Sequence, residues 1–195
     1  MGLSHHPNMV SSSPRLSALP APSPAQGVLK GLDATRALAE VIARYLAPGF
    51  RLYLSGDLGS GKTALVRELL RSLGHRGRVA SPTFALIEPY NLSRFELHHF
   101  DFYRLSHPGA WRDAGFEESF DGRAVVVVEW PEQAGGGLPA PDLHLWLAID
   151  PQLDENARRL SITAHSELGL ACLNAVLDAG FCDRVPSPHS GCAAP

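Results

Sequence analysis

The chain has 195 residues, of which 45% are hydrophobic, and it carries a formal net charge of −3. This size favours one domain whose core needs no disulfide or metal, and the weak negative charge argues against a surface that coats nucleic acid over its whole extent. No apolar run has the length of a membrane span, and the first residues lack the pattern of a secretory signal. We therefore expect a cytoplasmic protein with no membrane segment.

The two ends of the chain differ in composition from the middle. Residues 1–27 are rich in Ser, Pro and Ala, which predicts a disordered tail. Residues 28–164 hold the periodic apolar segments and form the predicted domain. Residues 165–195 are predicted to be an extension, with one short helix over 167–179 followed by a second disordered tail. The three cysteines all lie in that extension without a C-x-x-C pair, and we predict free thiols in a reducing cytoplasm.

The first predicted helix and the first predicted strand lead into a glycine-rich segment. Asp33 is predicted to cap the helix, which ends near Pro48, and a short buried strand follows over 51–55. A second helix is predicted after Thr63, where apolar residues recur at helical spacing until Gly74. The order strand, glycine-rich loop and helix is the setting in which a phosphate-binding loop occurs.

That loop matches the pattern G-x-x-x-x-G-K-[ST] from Gly56 to Thr63. Its glycines allow successive backbone N–H groups to point inward, and the N-terminus of the following helix adds a partial positive charge. The Lys62 ammonium is expected to reach the terminal phosphates of a nucleotide, and the Thr63 hydroxyl is expected to ligate magnesium. The predicted nucleotide-binding residues are Asp57, Leu58, Gly59, Ser60, Gly61, Lys62 and Thr63.

Beyond the loop the sequence changes from a basic helix to strands. The basic stretch, with arginines at positions 67, 71, 76 and 78, is either a solvated helix face or a docking surface for RNA or an acidic partner. Residues 84–90 and 95–101 are predicted to form an antiparallel hairpin, and Pro89 places one of its strands at a sheet edge or breaks it there. The other predicted elements are a short helix over 109–114, a turn over 117–120 and strands over 143–149 and 158–163.

Residues 124–129, with the sequence AVVVVE, form a β-branched apolar run that ends in a carboxylate. Such a run suits a central strand that is buried on both faces. In a chain with a phosphate loop, an acidic residue at the end of such a strand is expected to face magnesium directly or through water. Glu129 is therefore predicted as a magnesium ligand beside Thr63.

Four motifs, read together, resemble those of one protein family. In order, they are the loop from Gly56 to Thr63, Ser81-Pro82-Thr83-Phe84, His99-Phe100-Asp101-Phe102-Tyr103-Arg104-Leu105 and Val128-Glu129-Trp130-Pro131-Glu132. The phosphate loop alone is shared by many families, whereas the combination resembles the TsaE family (also called YjeE), the small ATPases of bacterial tRNA threonylcarbamoyladenosine synthesis. The resemblance covers about residues 30–163 and leaves both ends of the chain outside it.

The resemblance implies an α/β fold of the P-loop NTPase kind, with an open mixed sheet flanked by helices. It also implies ATP and Mg²⁺ as cofactors, with Lys62 and the loop amides on the phosphates and with Thr63 and Glu129 on the metal. Asp101 would complete the acidic site, either as a magnesium ligand or by positioning the attacking water. The predicted catalytic residues are therefore Asp101 and Glu129.

Several other motif residues have two interpretations. Ser81 and Thr83 either sense the terminal phosphate or belong to a turn that Pro82 fixes. His99 either touches the substrate water or is a hydrogen-bonded structural histidine. Trp130 either shields the site or contacts a partner, or it is a core aromatic.

The resemblance further implies that the protein hydrolyses ATP to reset a complex with TsaD-type and TsaB-type proteins. It would reach tRNA indirectly, through the complex that modifies the adenosine beside the anticodon. Two other functions stay open. One is a small-molecule P-loop kinase, although no clear arginine-bearing lid is visible, and the other is a non-catalytic binding module that depends on nucleotide.

Overall fold

One mixed sheet of eight strands runs through the protein, and the computed structural model describes it over residues 24–185. The strands are β1 Ala25–Lys30, β2 Arg51–Ser55, β3 Ile87–Asn91, β4 Glu96–Asp101, β5 Val125–Glu129, β6 Leu143–Ala148, β7 Ala157–Ala164 and β8 Asp183–Arg184. They lie in the order β3-β4-β5-β2-β6-β7-β1-β8. β4, β5, β2 and β6 are parallel neighbours, and the remaining pairs are antiparallel. The predicted open mixed sheet is confirmed.

Helices cover the two faces of this sheet unequally. The helices are α1 Gly31–Ala43, α2 Lys62–Ser72, α3 Ala110–Asp113 and α4 Glu167–Asp178, and two 3₁₀ helices span Phe116–Phe120 and Pro131–Ala134. Side chains of α1, α2 and α4 form one core with alternate residues of every strand from β4 to β1, such as Leu54 and Ile162. A second, smaller core lies on the opposite face, where Trp111 and Phe120 pack against Phe100 and Val128.

The second face is covered only over β4, β5 and β2. Trp146, on β6, is 50% exposed, because no described residue packs over that part of the sheet. Strand β5 lies between β4 and β2 and is buried along its whole length, as the run of valines predicts. Pro89 lies in β3 at the edge of the sheet, which confirms its predicted position and fits its missing backbone N–H.

Two expectations about the first elements need correction. Residues 25–27, which are predicted to belong to the disordered tail, form the first half of β1 and pair with β7. The predicted disorder of residues 1–23 and 186–195 falls outside the described part. Asp33 does not cap α1, because the helix begins at Gly31, and its N-cap, Lys30, makes no side-chain hydrogen bond to the helix. Asp33 instead accepts a hydrogen bond from Arg36 in the first turn.

The C-terminal helix packs on the domain rather than standing apart from it. Helix α4 occupies the span where a helix was predicted, and Cys172 and Leu173 on it belong to the larger core. Cys172 and Cys182 are free thiols, as predicted, and burial raises the pKa of Cys172 to about 12. Cys192 lies outside the described residues. Within residues 24–185, no helix is both long enough and apolar enough to cross a bilayer.

Candidate active site

The phosphate-binding motif folds as a tight loop between β2 and α2. Gly56 has φ +128°, and a Cβ atom there would lie 1.9 Å from the carbonyl oxygen of Leu147, so only glycine fits. Gly61 has φ +102° and directly precedes Lys62, the first residue of α2. The loop therefore brings the N-terminus of a helix of 11 residues to the end of β2, which is the arrangement that binds phosphate groups.

Lys62 lies inside this loop and is only 4% exposed. Its ammonium donates hydrogen bonds to the carbonyl oxygens of Gly56, at 2.6 Å, and of Asp57, at 2.9 Å. The ring of Trp130 lies over it, with the Nζ atom 3.9 Å from the ring centroid. Burial lowers the pKa of Lys62, and the negative charges of Glu129, Glu132, Asp101 and Asp57 oppose that shift.

The two predicted catalytic carboxylates lie side by side. Asp101 and Glu129 are the last residues of β4 and β5, and they are register partners in that parallel pair. The Thr63 hydroxyl donates to Glu129 Oε2 at 3.0 Å, and His99 Nε2 donates to Glu129 Oε1 at 2.9 Å. The carboxylate of Glu129 therefore has a partner on each oxygen and a fixed orientation toward α2.

His99 is fully buried, and its position supports the structural interpretation. Because an ionised carboxylate only accepts hydrogen bonds, the proton of the ring lies on Nε2, which faces Glu129. The other nitrogen, Nδ1, is buried without a partner in the described structure.

Asp101 is held by the motif that contains Ser81 and Thr83. Its Oδ2 accepts hydrogen bonds from the Thr83 hydroxyl at 2.9 Å and from the Ser81 hydroxyl, and its Oδ1 accepts one from the backbone N–H of Tyr103 at 2.9 Å. Asp101 is 3% exposed. Ser81 and Thr83 therefore orient the Asp101 carboxylate, and the Pro82 carbonyl oxygen also accepts a turn hydrogen bond from Leu86.

Two cavities flank the loop. One, of about 300 Å³, is lined by the predicted site residues Lys62, Thr63, Asp101 and Glu129, together with Trp130. The other, of about 400 Å³, lies on the far side of the loop. Its lining residues are Leu29, Gly31, Leu32, Thr35, Ser60, Gly61, Ala64, Leu147, Asn156 and Arg158.

Sequence reasoning missed the second cavity. Leu29 and Leu32 come from the β1–α1 junction, whereas Asn156 and Arg158 lie more than a hundred residues later in the chain. Only the pairing of β1 with β7 brings these segments together. No local sequence motif marks these lining residues, because their residue types are common in any strand, helix or turn. Sequence reasoning also missed a hydrogen-bonded group formed by Ser55, Glu132 and His144 beside the loop.

Comparisons with known proteins agree with this geometry. A family model described as "Threonylcarbamoyl adenosine biosynthesis protein TsaE" matches residues 29–160. The "tRNA threonylcarbamoyladenosine biosynthesis protein TsaE" of Haemophilus influenzae is 34% identical over 138 residues, which cover 70% of this chain and 85% of that protein. The protein of the same name from Bacillus subtilis is 34% identical over 132 residues, covering 68% of this chain and 80% of that one.

One solved structure is similar over most of its length. It is described as "Crystal structure of Bacillus subtilus YdiB", and it superimposes with a TM-score of 0.67 at 25% sequence identity. The match covers 83% of this chain and 99% of that one.

Proposed function

Because the chain belongs to the TsaE family, we propose that it binds ATP with Mg²⁺ at the loop from Gly56 to Thr63 and hydrolyses it. Its part in tRNA threonylcarbamoyladenosine biosynthesis follows from the family. The observation that carries the proposed activity is the hydrogen bond from Thr63 to Glu129. It places a hydroxyl and a carboxylate together at the first turn of α2, beside the loop.

Thr63 and Glu129 fit a magnesium ion by their chemistry. Mg²⁺ prefers oxygen ligands, and proteins usually hold it with one or two carboxylates together with substrate phosphates. Both side chains offer oxygen atoms, and Thr63 Oγ1 and Glu129 Oε2 are 3.0 Å apart. The bound ion would supply neutralisation of phosphate charge.

Lys62 and the loop would bind the phosphates. The Lys62 ammonium now bonds to two carbonyl oxygens of the loop, which are neutral acceptors. Phosphate oxygens are charged acceptors and form stronger hydrogen bonds with an ammonium group. We therefore expect Lys62 to exchange these carbonyl oxygens for phosphate oxygens when nucleotide binds.

Asp101 would orient the attacking water. Three hydrogen bonds, from Ser81, Thr83 and Tyr103, fix its carboxylate before any substrate arrives. Phosphoryl transfer depends mainly on positioning and on charge stabilisation, so an acceptor that is already oriented favours the reaction.

The cavity on the far side of the loop would hold the adenine base. Leu29, Leu32 and Leu147 provide apolar walls, while Asn156 and Arg158 provide polar groups. Nucleotide pockets commonly combine apolar walls with a few polar groups that fix orientation. The cavity shares Ser60 and Gly61 with the phosphate loop, so one ligand can occupy both regions.

The proposed hydrolysis would serve a cytoplasmic complex with TsaD-type and TsaB-type proteins, and it would reset that complex between turnovers. The protein would contact tRNA only through the complex. The partners, and not this protein, would transfer the threonylcarbamoyl group.

The test is phosphate release from ATP by the purified chain alone, with the two partner proteins, and with tRNA added. We expect turnover to rise with the partners and to be lost in Lys62→Ala. Appearance of the terminal phosphate on a metabolite rather than as free phosphate would instead establish a kinase. Tight ATP binding without turnover, even with partners and tRNA, would establish a nucleotide-dependent binding module.

A further inference from the structure

A chain of hydrogen bonds lies behind the phosphate loop and joins three separate segments. Ser55 ends β2, Glu132 lies in the 3₁₀ helix Pro131–Ala134, and His144 lies in β6. The Ser55 hydroxyl donates to Glu132 Oε2 at 2.8 Å, and His144 Nε2 lies 2.8 Å from the same hydroxyl. Ser55 is 1% exposed, so this hydroxyl has no access to bulk water.

The proton positions in this chain follow from its chemistry. A hydroxyl has one proton, and the carboxylate of Glu132 can only accept, so the Ser55 proton points to Glu132. His144 Nε2 must then donate to Ser55. Burial, and next the nearby His165, lower the pKa of His144, so its ring is neutral at pH 7 with its proton on Nε2. Each group thus orients the next, from His144 to Ser55 to Glu132.

The same segment holds Trp130 in an unusual conformation. Trp130 has φ +59° and ψ +47°, a left-handed conformation that non-glycine residues rarely adopt. Its backbone N–H donates to the carbonyl oxygen of Leu54, at 3.0 Å. The bond from Ser55 to Glu132 ties the other side of the turn to the next residue of the same strand. Strand β2 therefore forms one hydrogen bond with the turn before Pro131, at Trp130, and one after it, at Glu132.

The ring of Trp130 is the part of this turn that reaches the site. It lies over the Lys62 ammonium and packs against the ring of Tyr103, with the ring centroids 5.0 Å apart. Glu132 itself is exposed and does not line the cavity that holds Lys62 and the carboxylates.

From these contacts we propose that Glu132 is a positioning residue, whose hydrogen bond to Ser55 holds Trp130 in place over Lys62. Loss of the bond releases the turn, and Trp130 leaves its stacked position. The consequence for nucleotide affinity rests on the proposed function, whereas the position of Trp130 does not.

The test uses the full chain labelled with 5-fluorotryptophan, which gives one fluorine resonance for each of the three tryptophans. Trp130→Phe identifies the resonance of Trp130. Glu132→Ala and Ser55→Ala are each expected to shift that resonance, and the double variant is expected to shift it no further. Gln133→Ala, in the same 3₁₀ helix and also exposed, is the matched control and should leave it unchanged. Glu132→Gln, whose amide oxygen can still accept from Ser55, should resemble the parent.

ATP binding by the same variants gives the second measurement. We expect Glu132→Ala and Ser55→Ala each to weaken binding by about fivefold to tenfold, the size expected for the loss of one ordinary hydrogen bond. The double variant should bind about as weakly as either single variant, because both changes remove the same bond.

Two results would overturn the positioning role: a Trp130 resonance in Glu132→Ala that matches the parent, or losses in the two single variants that add in the double variant. If Ser55→Ala does not fold, the Trp130 resonance of Glu132→Ala, compared with that of Gln133→Ala, still tests the positioning role. A parent protein that fails to bind ATP, while Glu132→Ala still shifts the Trp130 resonance, would refute the proposed function and support the positioning role.

Discussion

The two halves of the sheet differ in strand direction and in what lies at the strand ends. β4, β5 and β2 run parallel, so their carboxyl ends meet at one end of the sheet. Their last residues are Asp101, Glu129 and Ser55, which are all polar and buried. In the other half, β7, β1 and β8 alternate in direction, and the buried residues there are apolar, such as Leu160 and Ile162.

This difference shows how strand direction concentrates chemistry. Buried polar groups cost free energy unless each has a hydrogen-bond partner, and polar groups that meet at one place can be partners for one another. Parallel strands bring several strand ends to one place, where Thr63 donates a hydrogen bond to Glu129 and Ser81 donates one to the neighbouring Asp101. Antiparallel strands send successive ends to opposite sides. That half instead supplies the apolar surface on which α1 and α4 pack.

The largest expected effect comes from Lys62→Ala, in the parallel half. Removal of the ammonium that is proposed to bind the phosphates should lower both ATP affinity and turnover by at least about 100-fold, the size of a lost electrostatic contact in a catalytic site. Lys30→Ala, an exposed lysine at the end of β1, is the matched control and should change neither. Near-normal turnover of Lys62→Ala would mean that the loop is not the active site.

Glu129→Ala and Asp101→Ala should each lower turnover by about 100-fold, because small misplacements of reacting groups have effects of that size. ATP binding should largely survive, since Lys62 and the loop amides remain. Glu129→Ala should also show the larger change in magnesium dependence. The measurement is ATP binding and turnover against magnesium concentration with partners present, and Glu40→Ala on the exposed face of α1 is the control. If only Asp101→Ala stays active, Glu129 alone serves the metal.

Deletion of residues 1–27 tests how much β1 stabilises the antiparallel half of the sheet. It removes Ala25, Gln26 and Gly27, and with them half of the pairing between β1 and β7 and all of the pairing between β1 and β8. We expect the free energy of unfolding to fall by about 2 kcal/mol, from a few lost hydrogen bonds at about 1 kcal/mol each. Deletion of residues 1–23 leaves β1 whole and is the control. Equal urea midpoints for the two deletions would show that the first half of β1 adds no stability.

Ile162→Val in β7 should give the smallest effect. Ile162 is fully buried in the larger core, and removal of one methylene group there should lower stability by about 1 kcal/mol. ATP affinity should not change, because Ile162 lines neither of the two cavities beside the loop. Urea unfolding and ATP titration of the same sample measure both quantities. A clear loss of ATP affinity without a loss of stability would show that Ile162, in the antiparallel half, contributes to ATP binding.

The sequence predicts the parallel half better than the antiparallel half. The span of β2 is predicted to the residue and that of β5 to within one residue, because buried apolar runs and the glycine motif mark them locally. The sequence does not predict β1, since AQGVLK has neither alternation nor β-branched enrichment. Its pairing with β7, about 130 residues later in the chain, decides its conformation.

The contacts of the candidate site also fall into those that the sequence predicts and those that it does not. Each predicted site residue belongs to a motif with its own local signal, and parallel pairing brings Asp101 beside Glu129. The contact of Ser55 with Glu132 and His144 could not be predicted, because it depends on the register of β2 against β6 and on the left-handed turn at Trp130. Patterns along the chain report which residues face inward, but they do not report which strands become neighbours.

The two outer strands of the described sheet have a consequence for concentrated solutions. Pro89 removes a backbone N–H from β3 at one edge, and β8 at the other edge is only two residues long. A second molecule that added a strand would find an interrupted row of donors on β3 and only two residues on β8. Neither outer strand is therefore a good template for sheet extension, and fibre growth through edge-to-edge pairing is disfavoured. The candidate active site takes no part in this protection.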